Sequence, residues 1–253
     1  MLSFAFHSSR LAGWPVWHRW LAPRARPADA FGFAMYYHCR STRRVPGFVR
    51  KVKHTKLIDL TRSEDEIFGD FNKNAKQKLK RAVADSLRFT TDNTLEELRE
   101  VYNAFAGAKG LPLVEDRVLE AYWPKLVVTK LSSDNQTLIM HSYMLDEAAK
   151  YACQIQAASM FRVLDIPDAN AFFGRANRYL HYLDMLLLKE RGYQTFDIGG
   201  VAVDTEDPVL KEVNAFKDSF GGELVEMSTY LSLPLWLGRK LSDWFGREKK
   251  PRD

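Results

Sequence analysis

The sequence predicts an α+β fold, a mixed and mostly antiparallel sheet flanked by helices. Three observations carry this. Strand-like runs at 126–131, 137–145 and 150–159 follow one another with only the short turns 132–135 and 146–149 between them, the pattern of an antiparallel meander. Residues 175–191 then place Ala176, Tyr179, Leu180, Leu183, Leu186 and Leu187 at helical spacing, so one side of a long helix is apolar. A short strand at 195–198 ends at Gly199-Gly200, and Asp207-Pro208 after it supplies a helix N-cap and a first-turn proline.

The other elements are justified in chain order. Residues 33–39 are apolar and aromatic and read as a strand; 40–53 read as a basic, turn-rich connector around Pro46-Gly47; 56–60 read as a further strand. Ser63 with Glu66 is a capping box. It opens a helix whose apolar side is Ile67, Phe68, Phe71, Ala75, Leu79 and Ala82. Lys73, Lys76 and Lys80 share another face, which is either a solvated face or a surface that meets a pyrophosphate or polyanionic acceptor. Residues 87–91 read as a strand. Thr94 with Glu97 is a second capping box, and Leu95, Leu98, Tyr102 and Phe105 are the buried stripe of a helix ended by Gly110 and Pro112. A short helix at 115–123 stops at Pro124. Beyond Asp207, Leu210, Val213, Phe216 and Phe220 are the expected buried side of a helix, and 223–233 read as a closing strand.

With 253 residues, 46% of them hydrophobic, the chain can build the core of one large domain or two small ones. A net charge of +5 suits an anionic partner, and equally an ordinary soluble protein. Cys39 and Cys153 alone make no disulfide framework and no zinc pattern, so a reducing compartment and no metal are expected. No apolar run approaches the ~20 residues of a membrane-spanning helix. Three regions are expected: a basic, tryptophan-bearing arm at 1–30, a main domain at 31–233 whose part 31–110 is a degenerate first unit, and a basic amphipathic tail at 234–253. Residues 1–28 hold four arginines, no acidic residue, and Trp14, Trp17 and Trp20. They read as a membrane-interface arm, alone or together with the tail, or as a segment packed on the domain.

Ala176-Asn177-Arg178-Tyr179-Leu180, Gly192-Tyr193, Phe196-Asp197-Ile198-Gly199-Gly200 and Phe216-Lys217 with Phe220-Gly221-Gly222 occur in this order. Together they resemble the Fem-type branch of the GNAT acyltransferases over about residues 56–233. The resemblance implies a GNAT-like fold and a cytoplasmic N-acyltransferase, free or at the inner face of the membrane. It implies an anionic acyl donor, acyl-CoA or alternatively aminoacyl-tRNA, and an amino-bearing cell-envelope precursor, peptidoglycan or polysaccharide and lipid-linked, as acceptor. A third reading keeps the fold as a non-catalytic membrane-surface binder.

The resemblance also places Lys217 in the active site, where an ammonium can stabilise an oxyanion or grip a phosphate. It places the donor's phosphates at a loop–helix junction, here Gly174, Arg175, Asn177 and Arg178 with Phe216 nearby. There free N–H groups and the helix dipole favour an anion. The fuller glycine-rich signature of acetyl-CoA-binding relatives is missing. Asp197, at a strand end, can accept the amine's proton, bind a hydroxyl of the acceptor, or cap a turn. His141 and His181 are candidate bases or hydrogen-bonded core histidines; Tyr182 and Tyr151 divide the same way. No cysteine or serine lies in a nucleophile elbow, so the amine is expected to attack directly.

Overall fold

The computed structural model describes residues 1–7, 13–164 and 169–247. The chain divides into two compact units, Met1–His54 with Glu226–Asp253, and Thr55–Val225.

The first unit is built from β1 (Leu2–His7), β2 (Pro15–Trp20), β3 (Phe33–Cys39), the first half of β4 (Phe48–Asp59) and most of β10 (Glu223–Ser232), in the order β1-β2-β3-β10-β4. β1 and β2 are antiparallel with Leu2 opposite Trp20, and β2 runs parallel to β3. The last helix, α7 (Leu233–Arg247), packs against β3 and against a 3-10 helix at Pro27–Phe31. Ala22, Ala25, Ala34, Tyr36, Cys39 and Tyr230 form a small core. The stretch expected as a basic arm therefore contains two strands. Its three tryptophans divide: Trp20 is buried and stacks on Tyr37 at 4.5 Å, whereas Trp14 is exposed. Residues 48–53, expected in a connector, continue as strand. Their charge argued for a loop, but Arg50 is partnered by Glu226 and by Ser228 at 2.7 Å.

The second unit has strand order β4-β9-β8-β7-β6-β5, with β5 Arg88–Thr90, β6 Leu126–Ser133, β7 Gln136–Asp146, β8 Tyr151–Ser159 and β9 Thr195–Val201. β5 to β8 are antiparallel as the meander predicts, and β9 lies parallel to β8. Its helices are α1 (Glu64–Gly69), α2 (Lys73–Ala82), α3 (Leu95–Lys109), α4 (Asp116–Tyr122), α5 (Ala169–Glu190) and α6 (Pro208–Asp218). This is the expected α+β architecture. A core of Leu60, Ile67, Phe71, Leu79, Tyr143, Met185, Leu188, Phe196 and Phe220 joins α1, α2 and α5 to the sheet. Among the described residues no helix is long and apolar enough to cross a membrane.

Both capping boxes form. The helix opened by Ser63 is nevertheless two helices, because Asn72 starts a second one: its side chain accepts from the Ala75 N–H at 2.8 Å, and its own N–H donates to the Ser219 carbonyl at 3.0 Å. α6 begins at Asp207 as expected, but Leu210 and Val213 are exposed and none of its residues is fully buried. Phe220, just beyond its end, is the residue that enters the core. α5 begins six positions before the expected start at residue 175.

Gly192 and Gly222 both have left-handed φ values, +79° and +82°, yet their surroundings differ. A Cβ on Gly192 meets nothing, whereas one on Gly222 would lie 2.6 Å from the Leu57 carbonyl oxygen. Gly192→Ala should therefore cost only the left-handed strain, about 1–2 kcal/mol. Gly222→Ala should cost clearly more, because strand backbone must also move. Urea denaturation of the two variants checks this; equal losses would contradict the close approach.

Candidate functional site

Helix α5 lies against β7 and β8 through polar side chains as well as leucines. Asn177, His181 and Asp184 recur at i, i+4 and i+7, and His141 and Tyr143 share one side of β7. Asp184 is fully enclosed. Its Oδ2 accepts from His141 Nδ1–H at 2.8 Å and from the Tyr143 hydroxyl at 2.5 Å. Gln154 of β8 donates its amide N–H to the Tyr143 oxygen at 3.3 Å and to His181 Nε2 at 3.2 Å. His181 Nδ1–H donates to the Asn177 carbonyl at 2.9 Å, and His141 Nε2 bonds the Asn177 side chain at 3.0 Å. Burial, then the neighbouring His141, hold the His181 pKa well below the usual histidine value. His181 is thus a neutral imidazole with both nitrogens occupied.

Asn177 is also where this network reaches a cavity. A pocket of about 260 Å³ is lined by Phe105, Lys109, Arg162, Gly174, Asn177 and Phe216, among others. Among the described residues its walls carry two cations and no acid. Burial, and then Arg162, lower the Lys109 pKa. Behind the wall lies Arg178, whose guanidinium sits 4.6 Å from the Phe216 ring centre and donates from Nη1 to the Gly174 carbonyl at 2.8 Å. Arg178 is 8% exposed, its Nε finds no hydrogen-bond partner, and no acidic side chain pairs with it among the described residues. A nearly buried guanidinium without a carboxylate is unusual, and it makes the region behind the cavity electropositive.

A second cluster surrounds Lys217. Asp197 is completely buried, and both its oxygens are in use. Oδ1 accepts from the Thr55 hydroxyl and from the Gly199 N–H at 2.8 Å; Oδ2 accepts from the Tyr151 hydroxyl at 2.6 Å and from the Cys153 thiol at 3.7 Å. Burial, and then the Asp197 charge, push the Cys153 thiol well above its normal pKa, so this cysteine is a neutral thiol. Lys217 Nζ donates to the Gly200 carbonyl at 2.6 Å. Burial pulls its pKa from 10.5 down to about 8, against the attraction of Asp197 and Cys153. Gly199, with φ +85°, keeps room for the ammonium, since a Cβ there would lie 3.4 Å from Nζ. The charges of Lys217 and Arg178 both act on His181.

The structure thus brings together Lys217 and Asp197, and gathers His141, Asn177, Arg178 and Phe216 around one cavity wall. Other expected residues lie differently. Gly174, Arg175, Asn177 and Arg178 are inside α5, where their N–H groups belong to the helix, so they form no N-terminal phosphate cradle. Arg175 is occupied by Asp85 at 3.0 Å and by the Phe172 ring. Tyr182 packs with Phe68 and Phe71 beside the core. Lys73, Lys76 and Lys80 line a separate shallow concavity, where Lys76 already donates to the Gly69 carbonyl at 2.6 Å. Asp197 has no exposed oxygen with which to take a substrate proton. Sequence reasoning passed over Tyr143, Gln154 and Asp184. The signal available for Asp184 was a polar residue repeating at helical spacing on an otherwise apolar side.

No family profile matches the chain, and no curated protein matches it. Solved structures do match. The C-terminal domain of a protein assigned as lysylphosphatidylglycerol synthetase from Agrobacterium fabrum is similar over 96% of this chain and 87% of that one, with 17% identity and a TM-score of 0.57. FemX is similar over 90% and 83%, with 11% identity and a TM-score of 0.60. L-PGS from Bacillus licheniformis is similar over 94% and 88%, with 15% identity and a TM-score of 0.56. The fold is therefore the Fem-type GNAT fold that the sequence motifs anticipated.

The depressed Lys217 pKa has a direct readout. Competitive acetylation across a pH series should give this amine a midpoint near 8, well below the bulk lysines. Asp197→Asn should lower it further, because the attraction that opposes burial is lost. A Lys217 midpoint at the ordinary lysine value would contradict the buried setting.

Proposed function

We propose that this chain is an acyltransferase of cell-envelope biosynthesis. It moves an acyl or aminoacyl group from a phosphate-bearing donor onto an amino group of an envelope precursor. The observation that carries the reading is the half-enclosed Lys217 ammonium, poised against a buried carboxylate in a fold shared with FemX and the lysylphosphatidylglycerol synthetases.

The chemistry needs a cation beside the carbonyl under attack and a place for one proton. Lys217, titrating near 8, supplies both. In its neutral form it takes the N–H proton as the amine nitrogen bonds to the carbonyl carbon. The ammonium so formed lies beside the oxyanion. When the carbon–sulfur or carbon–oxygen bond to the donor breaks, the ammonium returns the proton to the leaving group. Asp197, closed off from substrate, acts through Lys217 by holding its charge in place. The cations Lys109 and Arg162, backed by Arg178, favour the donor's phosphate at the cavity.

Acyl-CoA and aminoacyl-tRNA share the phosphate chemistry this reading needs. One observation favours the aminoacyl donor. The helix-start cradle expected for a CoA pyrophosphate at 174–178 is helix interior, and the similar solved structures include a domain assigned as lysylphosphatidylglycerol synthetase.

Purified protein should be given envelope lipid and peptidoglycan precursors with either labelled acyl-CoA or labelled aminoacyl-tRNA, and product followed by mass spectrometry. Lys217→Met should lower kcat by roughly 10²-fold or more. Arg178→Gln should chiefly raise the donor KM. Full turnover by Lys217→Met, or no turnover with either donor, would overturn the proposal.

A further inference from the structure

The formal charge of the chain is divided unevenly. The unit formed by Met1–His54 and Glu226–Asp253 holds sixteen lysines and arginines against five acidic residues, a net of +11; Thr55–Val225 holds twenty-one against twenty-seven, a net of −6. A chain of net +5 therefore carries one strongly cationic unit. Exposed Arg24, Arg26, Arg43, Arg44, Lys51, Lys53, Arg239 and Lys240 belong to it.

The same unit leaves large apolar side chains in solvent. Phe31, at the end of the 3-10 helix, is 91% exposed and Trp14 is 63% exposed. Leu233, Leu237 and Leu241 repeat every fourth residue along α7 and are 43%, 51% and 56% exposed, while Leu235 on the opposite side is buried. α7 lies against the 3-10 helix that ends at Phe31, and Trp14 packs edge-on to Phe33, two residues further along, at 6.3 Å. Arg239 is close enough to help lower the His18 pKa, after burial, to about 3. The leucine stripe is thus fixed to a folded surface, with Lys240 beside it on α7 and Arg26 at the start of the 3-10 helix against which α7 packs.

We infer that this surface docks the protein on an anionic lipid bilayer. The cations are drawn to acidic headgroups, each worth about 1 kcal/mol near the surface. Phe31, Trp14 and the α7 leucines then enter the boundary between headgroups and acyl chains, as an interfacial helix does. Leucines at helical spacing fit an acyl-chain boundary; a nucleic acid would call for stacking rings at those positions. The inference rests on charge and exposure in this unit alone, and it stands whatever reaction the other unit performs.

The test is flotation of the full chain with vesicles of phosphatidylcholine alone or mixed with phosphatidylglycerol. Binding should need phosphatidylglycerol and weaken as salt is raised. Phe31→Ser, Leu237→Ser and Leu241→Ser together should weaken it at least about tenfold, a loss of about 1.4 kcal/mol. Their surface positions should leave thermal unfolding unchanged, and Arg239→Gln with Lys240→Gln serves as a second variant that removes charge without touching the stripe. Binding to neutral vesicles as tight as to acidic ones would overturn the inference. So would tRNA binding lost in the apolar variant while vesicle binding persists, or a dimer that the serine variant dissociates without changing flotation.

Discussion

A carboxylate with no access to water depends on the hydrogen-bond donors that the fold brings to it. Asp184 is such a group, and the arrangement of the second unit around α5 depends on it. His141 and Tyr143 both donate to one of its oxygens, and the other oxygen has no partner. Leaving a buried hydrogen-bonding group unsatisfied typically costs about 1–3 kcal/mol, and more where it is charged. The helix therefore has little freedom to rotate or slide against β7. Because Asn177 and His181 lie on the same side of α5 as Asp184, fixing one fixes all three. Arg178, next in sequence to Asn177, is thereby held between the Gly174 carbonyl and the Phe216 ring. A packing constraint inside the unit sets where a charge sits behind the cavity.

Asp184 and Asp197, both fully buried, act in opposite ways. Asp184 is bonded to uncharged or titratable donors on β7 and serves to position α5. Asp197 accepts from Thr55, Tyr151, Cys153 and a backbone N–H, and its negative charge also acts on Lys217. Burial and Asp197 pull the lysine in opposite directions, and burial wins. The outcome is an amine that exchanges a proton near neutral pH. Neither carboxylate reaches solvent, so the proton free to exchange in this cluster is the one on Lys217. The neutral thiol of Cys153 and the fully bonded His181 are withdrawn from chemistry for the same physical reason.

Most elements of the second unit were legible because local rules coincide there with tertiary structure. The meander, both capping boxes and the Asp207 cap all follow from residues close in sequence. Lys217 and Asp197 were reached through motif order, and the structure puts them in one cluster. What failed did so for identifiable reasons. The helix after Ser63 reads as continuous because Ile67 to Ala82 keep one apolar period, whereas the Asn72 side chain ends it locally. The first half of β4 reads as a connector because of its charge, and Arg50 finds its partners only across the sheet, on β10. The buried polar stripe of α5 was overlooked because Asp184 falls among leucines and its partners are more than forty residues away in sequence. The roles of Phe105, Lys109 and Arg162 could not be read, since only the folded chain brings α3 and the turn after β8 to one cavity.

The earlier start of α5 alters how an anion can be recognised. Had the helix begun near Gly174, its free N–H groups would have made a backbone cradle with geometry suited to a pyrophosphate. With the helix starting at Ala169, the N–H groups at 174–178 are spent on its own turns. Recognition at the cavity then falls to side chains. Lys109 and Arg162 are exposed and can move with the ligand. Arg178 is fixed, always charged and desolvated. Flexible lysine and arginine tips around a fixed guanidinium impose little geometry on a phosphate ester, and they favour charge over shape.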